Sequence, residues 1–264
     1  MGLAIVVTSG KGGVGKTTTT ANIGTALATL GKRVAIVDAD IGLRNLDVVM
    51  GLENRIVYDI VDVVEGYCKL KQALIKDKRF EGLHLLPAAQ TKDKSSVSPN
   101  QMKDVCRQLK DEFDYVLIDS PAGIEQGFRI ALAGADKALI VTTPEVTAVR
   151  DADRVIGILE TNSLLRGPDL VINRIRPLLA KRGDMLSTDD IIDILAVNLL
   201  GLVPEDDVVP ISGNRGEPAV TMSGSKAGEA YRNIARRLTG ENVPFLNLEG
   251  GTDLWGRMRK FLGR

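Results

Sequence analysis

The chain has 264 residues, 44% of them hydrophobic and 26% charged, and lysine plus arginine balance aspartate plus glutamate at 34 each. That is length enough for one large core, with the balance of an ordinary globular protein; zero net charge argues against a nonspecific nucleic-acid binder, leaving only the option of a local basic patch. Cys68 and Cys106 form neither a metal spacing nor a disulfide framework, which fits a reducing compartment, and the lone His84 sits in an apolar run as a structural residue. Residues 1 and 2 lead straight into an apolar run with no secretory signal, and no stretch of about 18 apolar residues is present to span a membrane.

Leu3, Ala4, Ile5, Val6 and Val7 read as a buried strand. Ser9-Gly10-Lys11-Gly12-Gly13-Val14-Gly15-Lys16-Thr17-Thr18 follows, and then a helical pattern through Ala21, Ile23, Leu27 and Leu30 that stops at Gly31. Strand, glycine loop and helix is the context a phosphate-binding loop needs. Glycines let inward-facing amides at Gly10, Gly12, Gly13, Val14 and Gly15 cradle phosphate oxygens, and the helix N-terminus adds positive partial charge there. Lys16 can reach the β and γ phosphates, Thr17 can ligate Mg²⁺, and Thr18 continues the cradle. Gly10, Gly12 and Gly15 also spell a dinucleotide fingerprint, with Asp38 at a plausible spacing, but Lys16-Thr17 after Gly15 completes G-x-x-x-x-G-K-[ST], which points to a nucleoside triphosphate.

Residues 33–37 read as a second buried strand that delivers Asp38 and Asp40 to its C-terminal end, where open α/β sheets bind ligands. Two carboxylates beside a phosphate site repel the ligand unless one serves the Mg²⁺ environment and the other positions water, although a helix cap is the plainer role for such a pair. The glycine-containing stretch 41–47 suits a switch loop. Residues 54–80 read as short charged helices, 82–89 as a strand and 91–96 as a polar loop. Ser98 as N-cap and Pro99 at the first helical position start a helix to about residue 112. Tyr115, Val116, Leu117, Ile118 and Asp119 form an apolar strand ending in a carboxylate that can hold Mg²⁺ directly or through water.

A strand over 137–143, a helix from 146 to about 160 and a strand over 170–174 come next. That last strand ends near Asn173, whose amide can donate and accept, or which serves merely as a turn residue. From Arg176 and Pro177 onward a loop is expected, then a helix capped by Ser187 or Thr188 through Leu195, a strand over 198–203 leaving at Pro204, Glu205 and Asp206, and a final helix over 223–238. The alternation defines an α/β fold with a doubly wound, mostly parallel sheet covered by helices on both faces, as in P-loop NTPases. One ATPase domain over 1–240 is expected, a linker over 241–251 containing Pro244, Gly250 and Gly251, and an amphipathic C-terminal helix over 252–264. On that helix Leu254, Trp255, Met258, Phe261 and Leu262 share one face, with Arg257, Arg259, Lys260 and Arg264 off it or at its border. The pattern reads as a membrane-surface helix, the alternative being a terminal helix packed on its own domain.

Lys11 adds a second lysine to the loop, and the run K-G-G-V-G-K-T-T resembles the deviant Walker A motif of the MinD/ParA ATPases. The stretch from Asp38 to Asp47, then Met50-Gly51-Leu52, Tyr58-Asp59, the run from Gln72 to Arg79, the run from Ser120 to Glu125 and the run from Arg182 to Ser187 are similar to the septum-positioning branch of that family, and the resemblance covers nearly the whole chain. It implies an ATP- and Mg²⁺-dependent ATPase that closes into a homodimer, with Lys11 acting across the interface, Asp40 positioning water, Asp38 supporting the loop, and Asn173, Pro204 and Glu205 around adenine. It implies Gly123 in a γ-phosphate switch. It further implies a cytoplasmic protein peripheral on the inner face of the cell membrane, a MinC-like division inhibitor and a MinE-like activator of hydrolysis as partners, and no nucleic-acid partner. A ParA-like DNA-partitioning ATPase and a flagellar-number regulator are the rival readings within the family. The basic amphipathic tail disfavours the first, and the stretches 40–47 and 120–125 disfavour the second.

Overall fold

A computed structural model of the chain describes residues 1–161 and 166–248. In order they form β1 (Leu3–Thr8), α1 (Lys16–Thr29), β2 (Val34–Asp38), α2 (Leu46–Val49), α3 (Ile60–Val64), α4 (Leu70–Ala73), β3 (Ile75–Lys76), β4 (Leu83–Leu86), α5 (Pro99–Glu112), β5 (Tyr115–Asp119), α6 (Gln126–Ala133), β6 (Lys137–Thr142), α7 (Val146–Glu160), β7 (Arg166–Ile175), α8 (Pro177–Arg182), α9 (Thr188–Leu195), β8 (Asn198–Pro204), α10 (Val208–Asn214) and α11 (Lys226–Leu238). The expected amphipathic helix over 252–264, with Leu254, Trp255, Arg257, Met258, Lys260, Phe261 and Leu262, lies outside the described residues, as does the end of the expected linker. No helix among the described residues is long and apolar enough to cross a membrane.

The strands make one sheet in the order β3-β4-β2-β5-β1-β6-β7-β8. Every pairing is parallel except β3 with β4. The central strands are apolar at consecutive positions because both faces are covered. Ala4 and Val6 of β1 enter one core, shared with Val116, Ile118, Phe128 and residues of α5, α7 and α9. Ile5 and Val7 point the other way, into a second core with Ile23, Leu27, Tyr231 and Ile234 of α1 and α11. This two-residue period is the pleat of a strand, and it makes the doubly wound fold a three-layer body. Parallel pairing brings all the C-terminal strand ends to one edge; there the registers set Asp38 opposite Asp119, and Asp119 beside Val7.

Local chemistry accounts for the elements read best from sequence. Ser98 accepts the amide of Gln101 at 3.3 Å, Gln101 Oε1 accepts the amide of Ser98 at 2.8 Å, and Pro99 opens α5. Ser187 and Asp190 close the same reciprocal cap on α9. The expected loop after Arg176 is instead the short helix α8, with Pro177 at its first turn and a left-handed Gly183 at its end. The final helix begins at Lys226 rather than residue 223, because Ser225 is its N-cap. The stretch 54–80 contains, besides short helices, the two-residue strand β3 at the sheet edge.

Residues 241–248 carry no helix or strand, yet they are fixed to the body. Arg237 donates to the carbonyls of Leu200 (2.9 Å), Val243 (2.9 Å) and Pro244 (2.8 Å), and its guanidinium stacks over the Phe245 ring at 4.1 Å. Burial holds the Arg237 pKa down at about 10. Phe245 and Leu248 pack against one core and Leu246 against the other, so this strap crosses from one layer to the other.

Candidate nucleotide site

The loop of Gly10, Lys11, Gly12, Gly13, Val14 and Gly15 joins β1 to α1, whose first residues are Lys16, Thr17 and Thr18. Gly15 precedes the helix at φ +98°, a backbone that L side chains rarely adopt. Asn173, at the far end of β7, reaches over it and donates Nδ2 to the Val14 carbonyl at 2.8 Å. A Cβ on Gly15 would stand 2.4 Å from that nitrogen. The loop and the Asn173 amide are therefore interlocked.

Lys16 is buried, at 8% exposure, and its pKa is pulled down by desolvation against the opposing attraction of Asp119 and Asp40. Asp119 is fully buried, accepts from Thr17 and, at 3.1 Å, from Thr20 Oγ1. Burial raises its pKa to about 6 against those hydrogen bonds and Lys16. Asp38 opposite it is raised further, to about 8, by burial first and then by the Asp119 charge. Its two oxygens accept the amides of Asp40 (3.0 Å) and Leu46 (3.3 Å), so Asp38 shapes the loop that carries Asp40. Asp40 is also raised by burial, against Lys94 and Lys16, and its Oδ1 is buried without a hydrogen-bond partner.

Asp119 and Asp40 thus share the buried Lys16, and Asp38 is pressed against Asp119 with no cation of its own, an arrangement short of positive charge at its buried end. A divalent cation there would relieve the crowding and satisfy the orphaned oxygen. No group of three or more His, Cys, Asp or Glu among the described residues is arranged to hold a metal by itself.

The raised acids make stability pH-dependent. A carboxyl whose folded pKa lies above its ordinary 3.8 contributes stability that is complete below about pH 4 and is lost as pH rises through the folded value, here about 6 for Asp119 and about 8 for Asp38. Protein free of metal and nucleotide should therefore lose stability, on the order of a few kcal/mol, between about pH 4 and about pH 8. Asp38→Asn should flatten most of that slope in thermal melts across the range. An unchanged slope in the variant would remove Asp38 from the account.

Beside the loop lies a cavity of about 380 Å³ whose lining includes Gly15, Thr18, Asn173, Pro204 and Glu205. Asn173, Pro204 and Glu205 thus share one lining with Gly15 and Thr18 of the loop, and Arg176 holds Glu205 by a two-pronged ion pair. Unforeseen walls come from Val48 and Val49 of α2 and from the Ser212 to Asn214 end of α10. Asp206, also in the lining, ties the cavity to α11 by accepting from Ser225 Oγ (2.8 Å) and the Ala227 amide (3.1 Å). Lys94, beside Asp40, was missed as well; its only sequence signal was a lysine in a polar loop. Lys11 stands apart from the other loop residues, exposed, with Nζ on Thr147 Oγ1 at 3.0 Å at the start of α7. The amide of Gly123 donates to the Ser9 carbonyl at 3.1 Å, tying the 120–125 stretch to the start of the loop.

A glycine loop between β1 and α1, a buried lysine, and an acid-tipped β5 beside it define a P-loop nucleotide-binding protein. Residues 2–166 match the family model described as AAA domain. The septum site-determining protein MinD of Bacillus subtilis (strain 168) is 60% identical over 265 residues, covering 100% of this chain and 99% of the relative. In the MinC:MinD cell division protein complex of Aquifex aeolicus, the matching chain superposes with a TM-score of 0.86 at 52% identity, covering 93% of this chain and 99% of that one. MinD of Pyrococcus horikoshii, complexed with Mg-ADP, gives 0.80 at 31% identity, covering 90% and 96%. The chain belongs to the family of MinD septum site-determining proteins.

Proposed function

We propose that this chain binds ATP with Mg²⁺, closes into a homodimer in the ATP state, and hydrolyses ATP to ADP and phosphate as part of positioning the division septum. The observation that carries the reading is the buried Lys16, with Asp119 and Asp40 as its charged neighbours, next to Gly15, which lines the cavity shared with Asn173, Pro204 and Glu205. A triphosphate held on the loop would set its base toward that cavity. Lys16 would hold the β and γ phosphates and meet the charge that develops during transfer. Thr17 and Asp119, with Asp38 behind them, would hold Mg²⁺, which supplies charge neutralisation of the phosphates. Asp40, on the loop ordered by Asp38, would orient the attacking water. Lys11, parked on Thr147, would leave that hydroxyl to reach the partner's nucleotide when two copies close.

The Aquifex complex supports a MinC-like division inhibitor as one partner. A MinE-like activator of hydrolysis and an anionic membrane surface follow from the resemblance and from the tail residues Leu254, Trp255, Arg257, Met258, Lys260, Phe261 and Leu262. One short amphipathic tail binds lipid weakly and reversibly; two tails on a dimer bind together, and avidity adds orders of magnitude. The expected location is cytoplasmic, peripheral on the inner face of the cell membrane.

Sedimentation with anionic liposomes tests the reading. ATP is expected to carry the full chain into the pellet, ADP to leave it in solution, and truncation after Gly251 to abolish pelleting in both states. Equal pelleting with ADP and ATP would end the proposal of nucleotide control, and pelleting of the truncated chain would end the assignment to the tail.

A further inference from the structure

The run from Gln72 to Arg79 contributes nothing to the chemistry above, yet Arg79 is one of the most heavily bonded side chains in the molecule. Its Nε and Nη2 donate to Asp77 Oδ1 and Oδ2 at 3.0 and 2.8 Å, and Asp77 is 1% exposed. Nη1 donates to the Gly216 carbonyl at 2.8 Å, and Nη2 to the Met50 carbonyl as well. The fork therefore joins three segments remote in sequence: the β3–β4 connection, the C-terminal end of α2, and the turn that follows α10. The latter two are walls of the base-side cavity, through Val48 and Val49 on one side and Gly213, Asn214, Pro218 and Ala219 on the other.

The two walls also meet directly. Gly51 and Gly216 are both left-handed, at φ +63° and φ +67°. A Cβ on Gly51 would lie 2.7 Å from the Gly216 carbonyl oxygen, and one on Gly216 would lie 2.5 Å from the Gly51 Cα. Only backbone against backbone fits this seam, and Arg79 bonds a carbonyl on each side of it. An arginine fork is suited to such a place, since one planar group satisfies a carboxylate and two carbonyls at once, and a cation at a helix C-terminus is favoured by the helix dipole.

We infer that Arg79 is a positioning residue for the nucleotide site: by clamping α2 to the turn after α10 it sets the spacing of the cavity that takes the base and ribose, without touching the nucleotide. The inference rests on the ATP reading above. It separates the two ends of the ligand. The phosphate end is built from β1, α1, β2 and β5, and the side-chain hydrogen bonds of Arg79 go to none of them. The base end is built from the segments it joins.

Arg79→Met keeps the unbranched stem of the side chain and removes all of its donors. Titration calorimetry of the full chain compares Mg–ATP with Mg–tripolyphosphate, which engages only the phosphate end. Arg79→Met should weaken Mg–ATP about tenfold, equivalent to about 1.4 kcal/mol, while tripolyphosphate binding stays within about twofold and the preference for ATP over GTP shrinks. Gly216→Ala, which wedges the same seam, should give the same signature. Arg79→Lys, which keeps the cation but cannot bridge both carbonyls and the carboxylate, carries the test where the methionine variant fails to fold. Equal weakening of both ligands would make Arg79 a general stabiliser of the fold and overturn the inference, as would unchanged ATP binding. Wild-type protein that binds tripolyphosphate but shows no gain from the base would instead refute the ATP reading on which the inference rests.

Discussion

Replacing Lys16 by alanine is expected to lower ATP hydrolysis by about 10³-fold or more, the largest functional loss available from one substitution in this chain. Lys16 is the buried cation set against Asp119 and Asp40. Its removal takes away the cation buried among acids, of which Asp38 already has its pKa raised to about 8, by burial first and then by the charge of Asp119, so a triphosphate would enter a site of net negative charge. Single-turnover release of phosphate measures the effect. A deficit of less than tenfold would mean that another group neutralises the γ-phosphate. Lys11→Ala is the control, since Lys11 is exposed and bonded to Thr147 rather than to the acids. It should preserve ADP binding by the monomer and lose ATP-driven dimerisation in sedimentation velocity.

The second large effect is expected from Gly15→Ala. At φ +98° an alanine is strained by about 1–3 kcal/mol, and its Cβ must displace the Asn173 amide that otherwise stands 2.4 Å away. The substitution therefore breaks the Asn173 bond to Val14 and disorders phosphate and base contacts together. Nucleotide affinity should fall by at least about 10²-fold, close to 3 kcal/mol, measured by fluorescence of an N-methylanthraniloyl-labelled ADP. An accompanying Asn173→Ala should restore part of the stability lost in Gly15→Ala by removing the clash, but none of the base recognition. If Gly15→Ala binds as the wild type does, the interlock has no functional weight.

The elements that local chemistry dictates were legible in the sequence. The Ser98, Pro99 and Gln101 cap of α5, the Ser187 cap of α9, the two-sided apolar strands and Asp119 at the end of β5 all declare themselves within a few residues. So did the phosphate loop, because its glycines and Lys16 are contiguous. What was missed depends on topology. The helix α6 is eight residues long and follows the 120–125 stretch, so its apolar residues extend a loop motif rather than starting a visible period. The strand β3 has two residues, too few for any alternation, and exists because β4 presents an edge to it. Helix α10 has seven residues, too short for a visible apolar period, although Asp206 accepts its first amide and Pro210 stands in its first turn. The base cavity was half visible. Asn173, Pro204, Glu205 and Asp206 stand at or just past strand ends where an open α/β sheet binds ligands, whereas Val48, Val49 and the Ser212 to Asn214 end of α10 belong to the cavity only because α2 and α10 converge there. Lys94 beside Asp40 joins two loops that nothing in the local pattern connects.

The docked strap has a mechanical consequence. Because Arg237 and Phe245 fasten the chain after α11 to the body, the chain is anchored as far as residue 248 rather than only to residue 240. From residue 248 to residue 252 even a fully extended chain reaches only about 14 Å. Whatever residues 252–264 bind must therefore come to that end of the body, and in any pair of copies the distance between the two attachment points is dictated by how the rigid bodies meet. A dimer that sets those points at the wrong spacing or on opposite sides would forfeit simultaneous binding, however well each tail binds alone. Loosening the strap, as in Arg237→Ala, lengthens the tether and relaxes that geometric requirement without altering a residue of the tail.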